Sequence, residues 1–347
     1  MSKRGRQSLR TGAAALAAFA FGLALSGSTN AFEIVAHKLD AAKREGTVVW
    51  YSSLVGLSDK VAELFEQQIG IKVQLYNAAS GKVISKIETE RKAGLVLADV
   101  IHHTSLYDVI RWKNGKLLAS MPLDERASFA RMEIDPDGAW FALRNLTSGI
   151  AYNKNSIAAN DVPRTWKDLL DPKFDRKIAY MSPSLSGMPQ YTVKMLVDIY
   201  GWDYYKQLAK LRPHMVESDG NAINMVISGE VPIAGTIAAY NALNASYKGQ
   251  PVGIVFPTEG VPVVIAPVAV LQNAPHPSAA ALFYQFLASK EVGELLSKGG
   301  LLSGRSDVKP PRGQPKLEEL KPYFADLGWL AKNERRMAEQ FDDIMAR

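Results

Sequence analysis

The chain has no cysteine among its 347 residues. That absence excludes a disulfide framework, and it removes the cysteine on which a bacterial lipoprotein anchor is built. Stability must therefore come from a buried core. Long apolar runs are missing as well. The charge-free stretch from about Ala13 to Leu25 is shorter than the ~20 residues a spanning helix needs, and no later stretch is long enough either. Excess charge of one sign is scarce: the net charge is +6, but Lys3, Arg4, Arg6 and Arg10 supply four of those charges, leaving +2 for the remainder. So little net charge makes nucleic acid a poor partner. Internal repeats, low-complexity tracts and flexible interdomain linkers are also absent, and "KPPRGQP" (309–315) is the one Pro/Gly-rich connector.

What is present begins with a basic start, an apolar run and small residues ending at Ala31. This is the layout of a secretory signal peptide. Cleavage there is expected to leave about 316 residues of exported, unanchored chain, in the periplasm and with no membrane insertion. That length exceeds the ~250–300 residues at which one core stops growing, so two lobes are expected.

From Thr47 short β-branched runs alternate with helical patterns. "TVVWYSS", "IKVQLYNA" and "ADVIHH" read as strands. The stretches between and after them carry apolar residues at helical spacing, such as Val61, Leu64, Phe65 and Ile69 before a stopping Gly70. Three strand–helix units in succession predict a parallel sheet with helical crossovers. The middle repeats the logic with "KIAYMSPS", a helix from about Met188 to Tyr200, "VPIAGTIAA" and the helix "YNALNASYKG". Two long extended stretches, 139–155 and 257–273, flank that block as two chain crossings between lobes would. The tail from about Pro315 is helical and charged, with no strand signal.

In open α/β sheets, ligands collect where strands end and helices begin. That rule selects Ser52 and Ser53 after the first strand, Ala79 and Ser80 after the second, and His103 and Thr104 after the third. It also selects Ser182, Ser184, Ser186 and Gly187 after the fourth and Tyr240 after the fifth. Hydroxyls beside helix starts suit a small polar or anionic ligand. Adjacent residues of an extended chain point to opposite sides. One of Ser52 and Ser53 is therefore expected to matter, and His103 or Thr104 is assigned to the cleft while His102 is satisfied or solvated. Arg144 on the first crossing can pair bidentately with a carboxylate or phosphate. Glu259 on the second is a hinge or ligand contact.

The run "VVWYSS…LFEQQIGIKVQLYNAASGKVISKI…ADV", with "GIAYNKNSI", "SGEVPIAGTIAAYN" and "NAPHPSAAALFYQFLASKEVGELLS", resembles the periplasmic solute-binding proteins of ABC importers, in the ferric-iron-binding-protein-like branch. The resemblance covers nearly all of residues 45–330. It implies an α/β fold of two lobes, each a mixed sheet flanked by helices, joined by two crossing hinge strands. The segments expected are a signal peptide over 1–31, lobe I over 32–142 and 260–302, lobe II over 143–259, and a C-terminal helical segment over 303–347 packing on the lobes. It implies a monomer without catalysis or cofactor, whose partners are a small-molecule ligand and an inner-membrane permease or, alternatively, a sensor receptor.

The branch's iron ligands do not carry over. The histidine position falls at Val55, the glutamate at Thr104, and the tyrosine pair at Ala239 and Tyr240. Ferric iron wants several anionic oxygens and one phenol cannot supply them, so no metal is expected, and ferric binding with a synergistic anion is the rival reading. "SPSLSG" keeps the branch's anion-seating serines and glycine. Asp219 falls where the branch has asparagine, and it would repel an anion unless it meets an amine or hydroxyl of the same ligand. The out-of-class rival, an exported hydrolase, lacks a G-x-S-x-G frame at "SLSGM" and a placed His/Asp pair.

Overall fold

The computed structural model describes residues 36–54, 56–185 and 187–346, so the readings of the leader, Val55 and Ser186 fall outside it. The three expected units form. Strand β1 (Thr47–Ser52) lies between β2 (Lys72–Asn77) and β3 (Val100–His102), parallel to both. Helix α1 (Ala36–Glu45) leads in, α2 (Ser58–Ile69) and α3 (Ser80–Lys92) make the crossovers, and α4 (Leu106–Asn114) follows β3. Helix α2 buries Val61, Phe65 and Ile69 at a four-residue step, the spacing of one helical face. It stops where Gly70 takes the left-handed conformation that a side chain would resist.

Strand β4 (Phe141–Asn153) then runs for 13 residues, all but two of them buried. The chain continues through β5 (Ile178–Met181), α5 (Gly187–Tyr200), α6 (Asp203–Lys210), β6 (His214–Val216), α7 (Asp219–Ser228), β7 (Ile233–Ala238), α8 (Ala239–Tyr247) and β8 (Val252–Val255). It returns through β9 (Val261–Val270), α9 (Pro277–Leu287) and α10 (Lys290–Lys298). It closes with β10 (Leu302–Ser303), β11 (Pro322–Tyr323) and α11 (Leu327–Met345).

The strand order is β2-β1-β3-β9-β4-β7-β5-β6, with β8 and β10 added on β4 and β11 on β9. Strands β5, β6 and β7 are parallel among themselves, as β1, β2 and β3 are, but β9 and β4 join the two sets antiparallel. The sheet is therefore mixed, and the purely parallel reading holds only within each half. The crossing happens inside β4: Phe141 to Thr147 pair with β9, whereas Ser148 onward pairs with β7 and β8. Gly149 sits at this change of partner beside a register shift, and a Cβ there would lie 2.7 Å from the Val255 carbonyl oxygen. Only glycine lets the neighbouring backbone come that close.

Each half has its own cores. In the first, Trp50, Phe65, Phe283 and Phe286 pack on one face of the sheet, while Ile101, Val109, Trp112 and Ala269 pack on the other. In the second, Trp166, Tyr180, Tyr204 and Tyr205 form the larger core. This is the two-lobed mixed α/β architecture expected from the sequence. The tail departs from its purely helical expectation. Lys321 adopts a left-handed φ of 48°, which turns the chain so that Pro322 and Tyr323 pair with the start of β9. Helix α11 then lays Leu330, Met337 and Phe341 into the second lobe's core.

Phe341 is fully buried, stacked on Tyr180 at 5.8 Å and edge-on to Tyr205 at 5.1 Å. Phe341→Ala is expected to cost about 3–5 kcal/mol, from lost transfer free energy plus the cavity left behind. Urea unfolding checks this, and a loss below ~1 kcal/mol would mean that α11 is not part of the second core.

Candidate functional site

Strands β1 and β3 deliver Ser52 and His102 side by side. Ser52 Oγ lies 3.3 Å from His102 Nδ1 and accepts the Leu54 backbone N–H at 3.1 Å. His102 is fully buried, and no partner reaches its Nε2. The expectation of a satisfied or solvated His102 is therefore half met, through Nδ1 only. Burial, with Arg144 nearby, holds the ring well below its ordinary pKa, so it is neutral.

Arg144 is the chemically unusual residue of this region. Its position on β4 is opposite Ala266 of β9, a small neighbour. Its Nη2 donates to the Ser53 carbonyl oxygen at 3.3 Å, and Nε is buried without a partner. No carboxylate of the described residues pairs with it. Burial pulls its pKa down to about 10, opposed by the Tyr240 phenol, so the side chain remains a cation at neutral pH. Ser53 Oγ is likewise buried and unpartnered. A buried cation beside an unsatisfied hydroxyl is costly unless something else completes it.

Tyr240 comes from the other lobe, in the first turn of α8, and packs against the first lobe's core. Asp219, at the start of α7, binds the same turn: its Oδ2 accepts the Ala238 backbone N–H at 3.3 Å and Asn241 Nδ2 at 3.1 Å. Burial raises the Asp219 carboxyl and the Tyr240 phenol, and Arg144 pulls the phenol back down. Ser53 and Arg144 from one side and Asp219 and Tyr240 from the other thus lie near one junction of the lobes.

The other expected residues lie apart. Ser80 Oγ accepts the Thr104 backbone N–H at 3.0 Å, tying the start of α3 to the end of β3. His103 is buried, its Nδ1 accepts the Ser105 backbone N–H at 3.1 Å, and its ring meets Trp112 edge-on. The proton is therefore on Nε2, which has no partner. The serine turn after β5 meets a carboxylate of its own chain: Ser182 Oγ donates to Asp342 Oδ1 of α11 at 2.6 Å. Ser184 Oγ lies 2.6 Å from Ser182 Oγ and must donate to it, since that hydroxyl has given its proton away. Ser184 and Gly187 are exposed. Glu259 binds Tyr200 Oη at 2.8 Å and the Lys167 N–H at 3.3 Å. Tyr200 ends the helix that Gly187 starts, about 20 Å away at 1.5 Å per residue.

One feature escapes sequence reading. Ser148 Oγ and Thr236 Oγ1 lie 3.1 Å apart, Thr236 reaches Thr192 at 3.4 Å, and Thr192 donates to the Met188 carbonyl oxygen at 3.2 Å. This buried hydroxyl chain links the crossing strand to the first turns of α5. Its only trace in the sequence is two adjacent hydroxyls inside the apolar run "NLTSGIA" and one inside "IAGTIA".

A sheet of two halves joined by two antiparallel crossing strands is the periplasmic binding-protein fold. Residues 47–302 match the family model of bacterial extracellular solute-binding proteins, and the chain belongs to that family. It is 25% identical over 274 residues to the spermidine/putrescine-binding periplasmic protein 1 of Haemophilus influenzae, covering 74% of each chain. It is 25% identical over 264 residues to a Salmonella typhimurium periplasmic protein named for binding 2-aminoethylphosphonate, covering 72% of this chain and 74% of that one. The structure of iron-bound HitA from Pseudomonas aeruginosa superposes with a TM-score of 0.71 at 22% identity, over 86% of this chain and 99% of that one.

His103 makes part of the fold pH-sensitive. Burial lowers its pKa from the ordinary 6.5 to about 4. Because the folded value is the lower one, its contribution is complete above about pH 6.5 and is lost as pH falls toward 4. The expected loss is on the order of 3 kcal/mol. Urea midpoints measured from pH 7 to 4 should fall more steeply in the wild type than in His103→Gln; parallel curves would sink the assignment.

Proposed function

We propose that the protein is the periplasmic solute-binding component of an ABC importer and captures a small polar organic anion between its lobes. The observation that carries the anion is Arg144: a buried guanidinium with a free Nε, no ion-pair partner, and the unsatisfied Ser53 hydroxyl beside it. A carboxylate, phosphate or phosphonate completes both. The basic start and apolar run over 1–31 support export through a leader, membership of the family supports delivery to a membrane permease, and turnover forms no part of the reading.

The mechanism is a hinge closure. Contacts from the β1 end and β4 on one side and from α8 on the other are made together only when the lobes meet, so ligand shifts the population toward the closed state by its differential affinity. Tyr240 adds a phenol from the second lobe. Its neighbour is Ala239, which leaves organic bulk where a second phenol would bring an anionic metal ligand. Ferric iron therefore suits this junction less well than an organic solute, although HitA carries iron. The relatives named for polyamine and for 2-aminoethylphosphonate leave both charge types open for this chain.

Native mass spectrometry of the gently purified protein, with identification of the released molecule, tests the reading directly. An organic solute bearing an acidic group is expected, and an uncharged hydrocarbon would contradict it. Arg144→Gln is expected to lower affinity for that solute by about 2–5 kcal/mol. Removing an unpaired buried charge should at the same time leave the empty protein's melting temperature unchanged or higher. A fall in that temperature with affinity intact would make Arg144 structural. Tyr240→Phe should weaken binding about tenfold without altering metal content, and unchanged affinity would return Tyr240 to the core.

A further inference from the structure

We propose that the ligand is a zwitterion: its anionic end sits on Arg144, its ammonium end on Asp219, and Tyr240 lies between them. This rests on the anion-capture reading above and adds the cationic end.

Asp219 uses one oxygen. Oδ2 takes both the Ala238 N–H and Asn241 Nδ2, while no bond or ion pair of the described residues reaches Oδ1. The carboxylate is therefore oriented from behind by the first turn of α8 and left open on its other side. The residue is half-buried, and burial pushes its carboxyl upward with no cation to offset the cost. Arg144 presents the complementary defect, a desolvated cation with no anion.

No ion pair or hydrogen bond of the described residues joins the two charges. Ser148 is the β4 partner of Ala238, whose N–H holds Asp219, and Arg144 lies four residues earlier on the same strand. At ~3.3 Å per residue that step spans about 13 Å. Tyr240 adjoins Asn241, which holds Asp219, and both charges act on its phenol, Arg144 lowering its pKa and Asp219 raising it. A molecule with an acidic group at one end and an ammonium group at the other satisfies both residues at once. A simple anion leaves Asp219 facing it with the wrong sign, and a diamine does the same to Arg144.

The test uses the full purified chain, freed of bound solute by unfolding and refolding, in calorimetric titrations. Two matched pairs of probes differ only by an amine: 2-aminoethylphosphonate against ethylphosphonate, and β-alanine against propionate. Putrescine is the fifth probe. In at least one pair the amine-bearing member is expected to bind ~10-fold tighter or more, as a charge-assisted hydrogen bond would give. Asp219→Asn should collapse that preference to within about twofold. Equal affinities within both pairs, or no binding by any of the four, overturn the zwitterion. If the amine-free members bind as tightly as their partners, anion capture survives and only the zwitterion fails. Binding of putrescine alone overturns both. The wild-type comparison needs no variant, so a misfolded Asp219→Asn would not rescue the idea.

Discussion

Everything in this molecule hangs on the antiparallel pairing of β4 with β9. Strand β4 changes partner at Thr147 and Ser148, so one continuous backbone belongs to both halves of the sheet. That continuity makes the ends of β1 and β3 in one lobe face the start of α8 in the other. At the change of partner, Gly149 allows the close approach of Val255. The packing on either side is tight and separate, with aromatic cores of different composition. Two cores on a shared pair of strands are the arrangement that the proposed hinge closure needs.

The polar groups near this junction are of two kinds. Some are closed circuits: Ser80 with Thr104, Ser182 with Asp342, and the hydroxyl chain from Ser148 through Thr236 to Thr192. These fasten helix starts and strand ends, and they hold the walls in place. Others are open: Arg144 Nε, Ser53 Oγ, His102 Nε2 and His103 Nε2. Buried groups left open cost free energy in the empty protein and return it when a complementary molecule arrives. The division between closed and open circuits separates scaffold from contact surface more sharply than residue type does, because serines occur in both.

The secondary structure was largely legible. Short β-branched runs and helical spacings located the strand–helix units, and the extended stretches 139–155 and 257–273 became β4 and β9 with their flanks. The paired strand at Pro322 was not legible, since two residues carry no periodicity and the pairing depends on Lys321 turning the chain. Among the candidate site residues, the rule that ligands gather at strand ends named Ser53 and Tyr240, residue chemistry named Arg144, and the family resemblance named Asp219. It could not say that Glu259 would be taken by Tyr200, or that the serine turn would meet Asp342, because those partners lie 59 and 160 residues away in sequence.

The sequence by itself determined the class of fold, because apolar periodicity dictates which faces must be buried and the order of elements restricts how the sheet can be wound. It also determined that no disulfide contributes. The tertiary structure alone decided which charges stay unpaired. Ion pairing depends on distances of a few ångströms between groups far apart in the chain, and Coulomb energy becomes large only where packing has excluded water. Arg144 and Asp219 could be named from the sequence as candidate contacts, but only folding shows that each is at least half-buried and that neither meets a residue of opposite charge among the described residues.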